Sequence, residues 1–369
     1  MKLLIPILVV LFAISAQVYV SYRINHILPI PKLWKKIVTI GYNLALASMF
    51  VFFIASKAHL YIGNFTVNKI LYEVGTSSLF ILLYLFMLFL AIDFLRLIHV
   101  LPKKIVQDSK VGSTLVFSIM LIIFIGGNIH YNHKYRETID LTSTKPLKKP
   151  LKMVMLSDLH IGYHNERSEL ARWVELINNE NPDLVLIGGD IVDFSTVPLL
   201  EQNVAEEFHN IKAPIYACLG NHEFIDGKDN AAEFYKSAGI NLLTDQYAVL
   251  PEYGICIIGR DDFSNRKRKK LPDIIEGQSI DSLYSIVLNH QPFYLGDSEE
   301  CGIDFQFSGH THYGQMWPIT IIIDLMYECG YGEWKRGNTR YYISSGMGIW
   351  GGKFRVGSQS EYVVADLHN

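Results

Sequence analysis

The chain has 369 residues, enough for one large domain or two ordinary ones. Half of it is hydrophobic, and its mean hydropathy of +0.19 is high for a soluble enzyme. Lys and Arg number 33 against 36 Asp and Glu, a net charge of −3 that argues against a nucleic-acid binder held by bulk charge, so no nucleic-acid partner is expected.

The first 130 residues read as membrane. Four apolar runs, at 3–20, 37–56, 76–95 and 111–129, each approach the ~20 residues a helix needs to cross a bilayer core. The first lacks a basic leading segment and a small-residue cleavage site, so a retained span is expected rather than a signal peptide. Arg23, Lys32, Lys35 and Lys36 lie in the first loop, and Arg96, Lys103, Lys104 and Lys110 in the third. The second loop has only Lys57 and Lys69. By the positive-inside rule the first and third loops face the cytoplasm, leaving everything after the fourth span outside a plasma membrane. Asp93 and Arg96, one turn apart near the end of the third run, read as a local ion pair rather than a transport pathway.

Residues 131–150 are polar, carry Pro146 and Pro150, and read as a linker. From 151 to 369 short β-rich runs alternate with amphipathic helices, the mark of an α/β domain. Strand 153–156 runs into Asp158 and His160. A helix with Leu170, Trp173, Val174 and Ile177 on one face follows. Strand 184–187 ends in Gly189-Asp190, and the next helix groups Leu200, Val204, Phe208 and Ile211. Strand 215–219 ends in Gly220-Asn221-His222-Glu223. Strands 285–288 and 304–307 end in Asn289-His290 and Gly309-His310-Thr311-His312. Five strands thus deliver Asp, Asn or His to one edge, and α/β folds bind ligands outside the carboxyl ends of strands.

Asp158, His160, Asp190, Asn221, His290, His310 and His312 form a set of oxygen and nitrogen donors without a thiolate, which suits Mn, Fe or Zn. Seven donors exceed one tetrahedral site and match two divalent ions sharing a carboxylate. The four cysteines, Cys218, Cys256, Cys301 and Cys329, show no paired spacing and read as free thiols.

Five motifs in order, Asp158-Leu-His160, Gly189-Asp190-Ile-Val-Asp193, Gly220-Asn221-His222-Glu223, His290-Gln-Pro292 and Gly309-His310-Thr311-His312, resemble the calcineurin-like metallophosphoesterase family over residues 152–367. Within it, residues 309–315 and Ser345-Gly346-Met347-Gly348 are similar to bacterial membrane-associated members, although Tyr313 stands where Gly is usual. The resemblance implies a four-layer αββα sandwich after an all-α transmembrane region of about four helices. It places Asp158, His160, Asp190 and His312 on a first metal and Asp190, Asn221, His290 and His310 on a second. His222 would act as a catalytic residue without binding metal, and Asp193 would orient it or simply cap a helix. Two cations about 3.5–4 Å apart lower the pKa of a shared water and clamp a phosphoryl group, so no Ser or Cys nucleophile is required.

The resemblance therefore implies a membrane-anchored phosphoric ester hydrolase, acting on a diester or a lipid-linked or envelope phosphate. The alternatives are a pyrophosphatase of a nucleotide-linked lipid precursor, of the UDP-diacylglucosamine type, and a non-catalytic membrane module. The basic run Arg266-Lys267-Arg268-Lys269-Lys270 reads as a solvated loop or a lure for anionic headgroups. Trp317, Trp334, Trp350 and residues 347–354 read as core or as an apolar wall near the site.

Overall fold

In the computed structural model, residues 4–58, 60, 62–277 and 280–369 are described, with side chains described from residue 11 onward. The chain divides into two compact units, 1–128 and 129–369.

The first unit is helical: α1 (Leu4–Ile27), α2 (Lys32–Lys57), α3 (Phe65–Leu97) and most of α4 (Lys110–Asn132). Three of these, α2, α3 and α4, are long and apolar enough to cross a membrane. The first expected span, 3–20, coincides with α1, apart from Leu3, which lies outside the described residues. Asn64 caps α3 by accepting from the Val67 amide at 3.0 Å, meeting one of the amides a helix start leaves without a partner. Asp93 is not confined to a local pair. Arg23 of α1 approaches it to 3.2 Å and Tyr19 donates to it at 2.5 Å, while Arg96 stands at 4.0 Å.

The second unit holds two six-stranded sheets. One runs β1 (Lys134–Thr142), β12 (Ser360–His368), β2 (Leu151–Leu156), β3 (Leu184–Ile187), β4 (Ile215–Ala217), β5 (Asn241–Leu242). The other runs β10 (Gly332–Arg336), β11 (Thr339–Ile343), β9 (Phe305–Ser308), β8 (Tyr284–Leu288), β7 (Ile255–Gly259), β6 (Gln246–Leu250). Side chains alternate across a strand, so β2 sends Met153 and Met155 into a core shared with Ile286, Leu288 and Phe305 of the second sheet. Val154 and Leu156 point the other way, against Leu170, Trp173, Val174 and Ile177 of α5 (Arg167–Asn179) and against Phe234 and Tyr235 of α6 (Lys228–Ser237). On the far face of the second sheet, Cys256, Ile258 and Val287 pack under Leu271 and Ile274. The order is therefore helix, sheet, sheet, helix. Strands covered on both faces explain why β2, β3, β7 and β8 read as continuous apolar runs.

The segment read as a linker, 131–150, instead contains β1, paired in parallel with β12 from Lys134↔Ser360 to Thr142↔His368. Arg136 and Asp140 face outward and Lys134 and Glu137 are half-buried, a charge density that hid the strand, but Ile139 and Leu141 are buried. The helix expected through Leu200 is two single turns, Val197–Glu201 and Val204–Phe208, broken by left-handed Asn203. The break exposes Leu200 and buries Leu199 in its place. All four cysteines are free thiols.

Candidate metal centre

Parallel pairing sets the carboxyl ends of β2, β3 and β4 side by side, and likewise those of β8 and β9. Each strand hands its last residues to a loop that continues the ladder. Asp158 N–H donates to Gly189 O at 3.1 Å, His160 N–H to Asp190 O at 3.0 Å and Gly309 N–H to His290 O at 2.9 Å. The loops bend where the donors sit. Asp158, His160, Asp190, His310 and His312 all have φ between 46° and 72°, the left-handed region that costs a non-glycine residue of order 1–3 kcal/mol. Strain at five of the seven predicted ligands is what a site held by its surroundings shows.

The glycines beside them work differently from one another. Gly189 has φ 90° and supplies a true left-handed turn. Gly220 and Gly309 are needed for close approach: a Cβ on Gly309 would fall 2.3 Å from Asp158 Oδ2, and one on Gly220 2.6 Å from the Asp190 amide nitrogen.

The donors converge in groups. Asp158, His160 and His312 form one cluster, and Asp190, His290 and His310 another. His160 Nε2 lies 3.0 Å from His312 Nε2, and Asp158 Oδ1 lies 3.4 Å from the latter. Asp190 Oδ2 sits between the clusters, 3.0 Å from His290 Nε2 and 3.8 Å from His160 Nε2. Asn221 Oδ1 lies 3.2 Å from His290 Nε2 and completes the second group. All seven predicted ligands are thus brought together.

Tautomers support ligation. His290 Nδ1–H donates to Gly188 O at 2.7 Å, so Nε2 is the nitrogen that faces Asp190 and Asn221; burial opposes its charge, but Asp190 beside it raises the ring well above the usual histidine range. Burial pushes His310 down to about 3, and burial with the neighbouring His160 pushes His312 well below the usual histidine range, so both keep lone pairs. Burial opposes the Asp190 carboxylate, yet His290, His222 and His160 hold it well below the usual range. Buried imidazole nitrogens and carboxylate oxygens facing one another at 3.0–3.8 Å need protons or a cation between them, and this donor set fits divalent metal.

His222 stands beside both clusters, its ring 4.5 Å from that of His160. Its Nδ1–H donates to the backbone carbonyl of Asp193 at 2.5 Å, which leaves Nε2 unused. The Asp193 carboxylate lies closer to His160 Nδ1, at 3.2 Å, than to His222 Nδ1, at 3.6 Å. So the part of Asp193 that orients His222 is its main chain, and its side chain braces His160, one of the predicted ligands. It caps no helix.

Three buried residues that the motif reading left without a role hold this frame. Glu223 accepts from the amides of Asp190, Val192 and Gly220 at 3.1, 3.0 and 2.7 Å, and burial pushes its carboxyl up to about 7. Ser157 donates to Asp158 Oδ2. Arg355, 1% exposed, donates to the carbonyls of His312, Ser345, Gly346 and Gly348 at 2.6–3.2 Å. No neighbouring motif pointed to Arg355.

Aromatic rings stand beside the donors. Phe194 lies 5.0 Å from the His222 ring and 6.3 Å from Trp350. Tyr313 stacks on Tyr331 at 5.0 Å and its hydroxyl donates to Asp324 at 3.3 Å. Trp317 and Trp334 are more than 40% exposed, so they are not core. Within the basic run, Arg268 lies over the Phe263 ring at 5.1 Å and donates to Asn289 Oδ1 at 3.2 Å, next to His290.

Comparison with known proteins gives the same reading. A family model described as calcineurin-like phosphoesterase matches residues 151–314. An uncharacterized metallophosphoesterase of Campylobacter jejuni is 31% identical over 294 residues, 77% of this chain and 78% of that protein. One from Helicobacter pylori is 31% identical over 228 residues, 60% of each chain. A transmembrane protein with metallophosphoesterase domain from Danio rerio is 31% identical over 229 residues, 57% of this chain and 52% of that one.

Proposed function

Because the chain belongs to the calcineurin-like metallophosphoesterase family, we propose that it is a membrane-anchored hydrolase of phosphate esters that works with two divalent ions, Mn, Fe or Zn. The observation that carries this reading is Asp190 Oδ2, poised 3.0 Å from His290 Nε2 and 3.8 Å from His160 Nε2, between two donor groups. Asp158, His160, His312 and Asp190 would hold one ion, and Asp190, Asn221, His290 and His310 the other. Bound there, the ions supply the positive charge that clamps a phosphoryl group and acidifies a water.

The chain's own residues do the rest. With Nδ1–H committed to Asp193 O, His222 can meet the leaving oxygen only through Nε2. Burial holds His222 below the usual histidine range, against the pull of Asp190 and Asp193 toward the protonated form that can donate. Phe194 beside His222, Trp350 beside Phe194, and Phe293 beside His310 would suit an apolar substituent on the ester. Three helices able to cross a membrane favour a phosphate presented at a lipid surface. The Lys and Arg of the first and third loops favour an extracytoplasmic catalytic unit. Reporter fusions after residue 150 test that side.

The deciding assay is hydrolysis of bis-p-nitrophenyl phosphate by the purified full chain loaded with Mn, Fe or Zn. Metal-dependent turnover that His222→Ala lowers by about 10²–10⁴-fold without loss of bound metal is expected. No turnover with any of the three metals would remove the reading. Extending the assay to phosphomonoesters and nucleotide-lipid pyrophosphates separates the substrate classes.

A further inference from the structure

A short helix just past the His310–His312 loop, α7 (Ile319–Met326), is apolar where it meets solvent. Of its eight residues only Thr320 is buried, while Ile321, Ile322, Leu325 and Met326 are 50–82% exposed. Its one charge, Asp324, accepts from Tyr313 Oη. Trp317 precedes it, and Trp334 lines a shared pocket of about 330 Å³ with Asp324, Tyr327 and Glu328. A soluble unit gains nothing by holding four large aliphatic side chains in water, so a surface of this kind marks a contact.

We propose that α7 dips into the interfacial layer of an anionic bilayer, setting the mouth of the metal centre at the lipid surface. Three helices of this chain are able to cross a membrane, so lipid is the apolar phase this unit meets. Eight residues make a helix about 12 Å long, too short to span and suited to lie in the interface. Tryptophan is the residue that sits at headgroup level, and two flank the helix. The basic run supplies the charge complement: Arg266, Lys267, Lys269 and Lys270 are exposed.

The apolar helix and the basic run form one rim. Tyr327, directly after α7, stacks on Phe293 at 4.9 Å. Phe293 lies 5.6 Å from Phe263, which sits beneath the Arg268 guanidinium. The rings of Tyr327 and Phe293 are each 6.5 Å from His310, so the chain of aromatics passes over a predicted metal ligand. Of the acids nearby, Glu328 pairs with Arg336 and Glu333 with Arg340, and Asp324 accepts from Tyr313 Oη. The consequence for catalysis rests on the phosphoesterase reading; the docking itself does not.

The test uses the full chain reconstituted in phosphatidylcholine–phosphatidylglycerol vesicles doped with a phosphatidylcholine carrying a diazirine in its acyl chain. After irradiation, lipid adducts are mapped by mass spectrometry. Adducts on 319–326 are expected beside those on α2, α3 and α4, which serve as the internal positive control. Ile322→Glu with Leu325→Glu should lower the yield on 319–326 about tenfold or more, while turnover of soluble bis-p-nitrophenyl phosphate is unchanged. Adducts confined to α2, α3 and α4 would overturn the proposal, as would cross-links from this helix to a second copy of the chain. Lipid adducts on α7 without any hydrolysis would keep the docking and reject the enzyme.

Discussion

His160 and His312, 152 positions apart, bring their Nε2 atoms to 3.0 Å of each other. One hydrogen bond could join them only if one ring carried its proton there, and Asp158 Oδ1, 3.4 Å from His312 Nε2, then competes for it. A divalent cation satisfies all three at once. Chelation should therefore destabilise the fold as well as stop turnover. At a metal concentration of 100 times Kd, binding adds about 2.7 kcal/mol. With about 2–4 °C per kcal/mol for a unit of this size, EDTA should lower Tm by roughly 5–10 °C. Calorimetry of the full chain with Mn and with EDTA checks this. Equal melting temperatures would argue that no structural load rests on metal.

Asp193 separates two roles that one substitution can distinguish. Its carboxylate meets His160 Nδ1 and its carbonyl meets His222 Nδ1. Asp193→Asn keeps the carbonyl and so the orientation of His222. It weakens the partner that makes His160 a good ligand, which typically costs about 10–100-fold in metal affinity. Metal titration should show that loss, with turnover restored at saturating metal. A defect in turnover that saturating metal leaves untouched would instead mean that the carboxylate works through His222.

Arg355 should be among the least replaceable residues outside the motifs. Arg355→Met leaves the carbonyls of Ser345 and Gly348 without a donor in a buried place, while those of His312 and Gly346 keep the amides of Gln315 and Glu361. At about 1–3 kcal/mol for each of the two buried groups left unsatisfied, the loss is about 2–6 kcal/mol unless water enters. Arg355→Lys keeps the charge but cannot reach four carbonyls at once, and should fall between. Urea unfolding of the three proteins should rank wild type above Lys above Met. Near-equal midpoints would show that water replaces the guanidinium.

The candidate metal site was legible because chemistry restricts it. Few residue types serve as hard or borderline ligands, and each stood at the end of an apolar run, so position and type agreed. What escaped were groups acting through the backbone. Arg355 and Glu223 bond to main-chain atoms, which carry no sequence signature, and the carbonyl of Asp193 orients His222 whatever its side chain is. β1 escaped because an edge strand buries one face only partly, and two buried residues, Ile139 and Leu141, are a weak period-two signal among Lys, Arg, Glu and Asp. The apolar exposure of α7 could not be read at all, since a run such as Ile321-Ile322-Ile323 looks like core until its solvent contact is known.

The same edge strand offers a pH test. Arg136 of β1 meets Glu180, after α5, with Nε 2.7 Å from Oε1 and Nη2 2.9 Å from Oε2. Its hydrogen bonds, aided by Lys152, pull the Glu180 carboxyl from 4.5 down to about 2. A carboxyl whose folded pKa is depressed stabilises the fold above its unfolded pKa. That contribution fades as pH falls from about 4.5 towards 2, because the unfolded chain takes up the proton first. Arg136→Met should thus be less stable than wild type at neutral pH, by about 1 kcal/mol or less for a pair this accessible. The gap should close across that acid window and not above it. Urea midpoints of both proteins at a series of pH values measure the gap directly. A difference that stays constant from neutral pH to the bottom of the window would mean that Arg136 stabilises β1 by packing its aliphatic stem rather than by its charge.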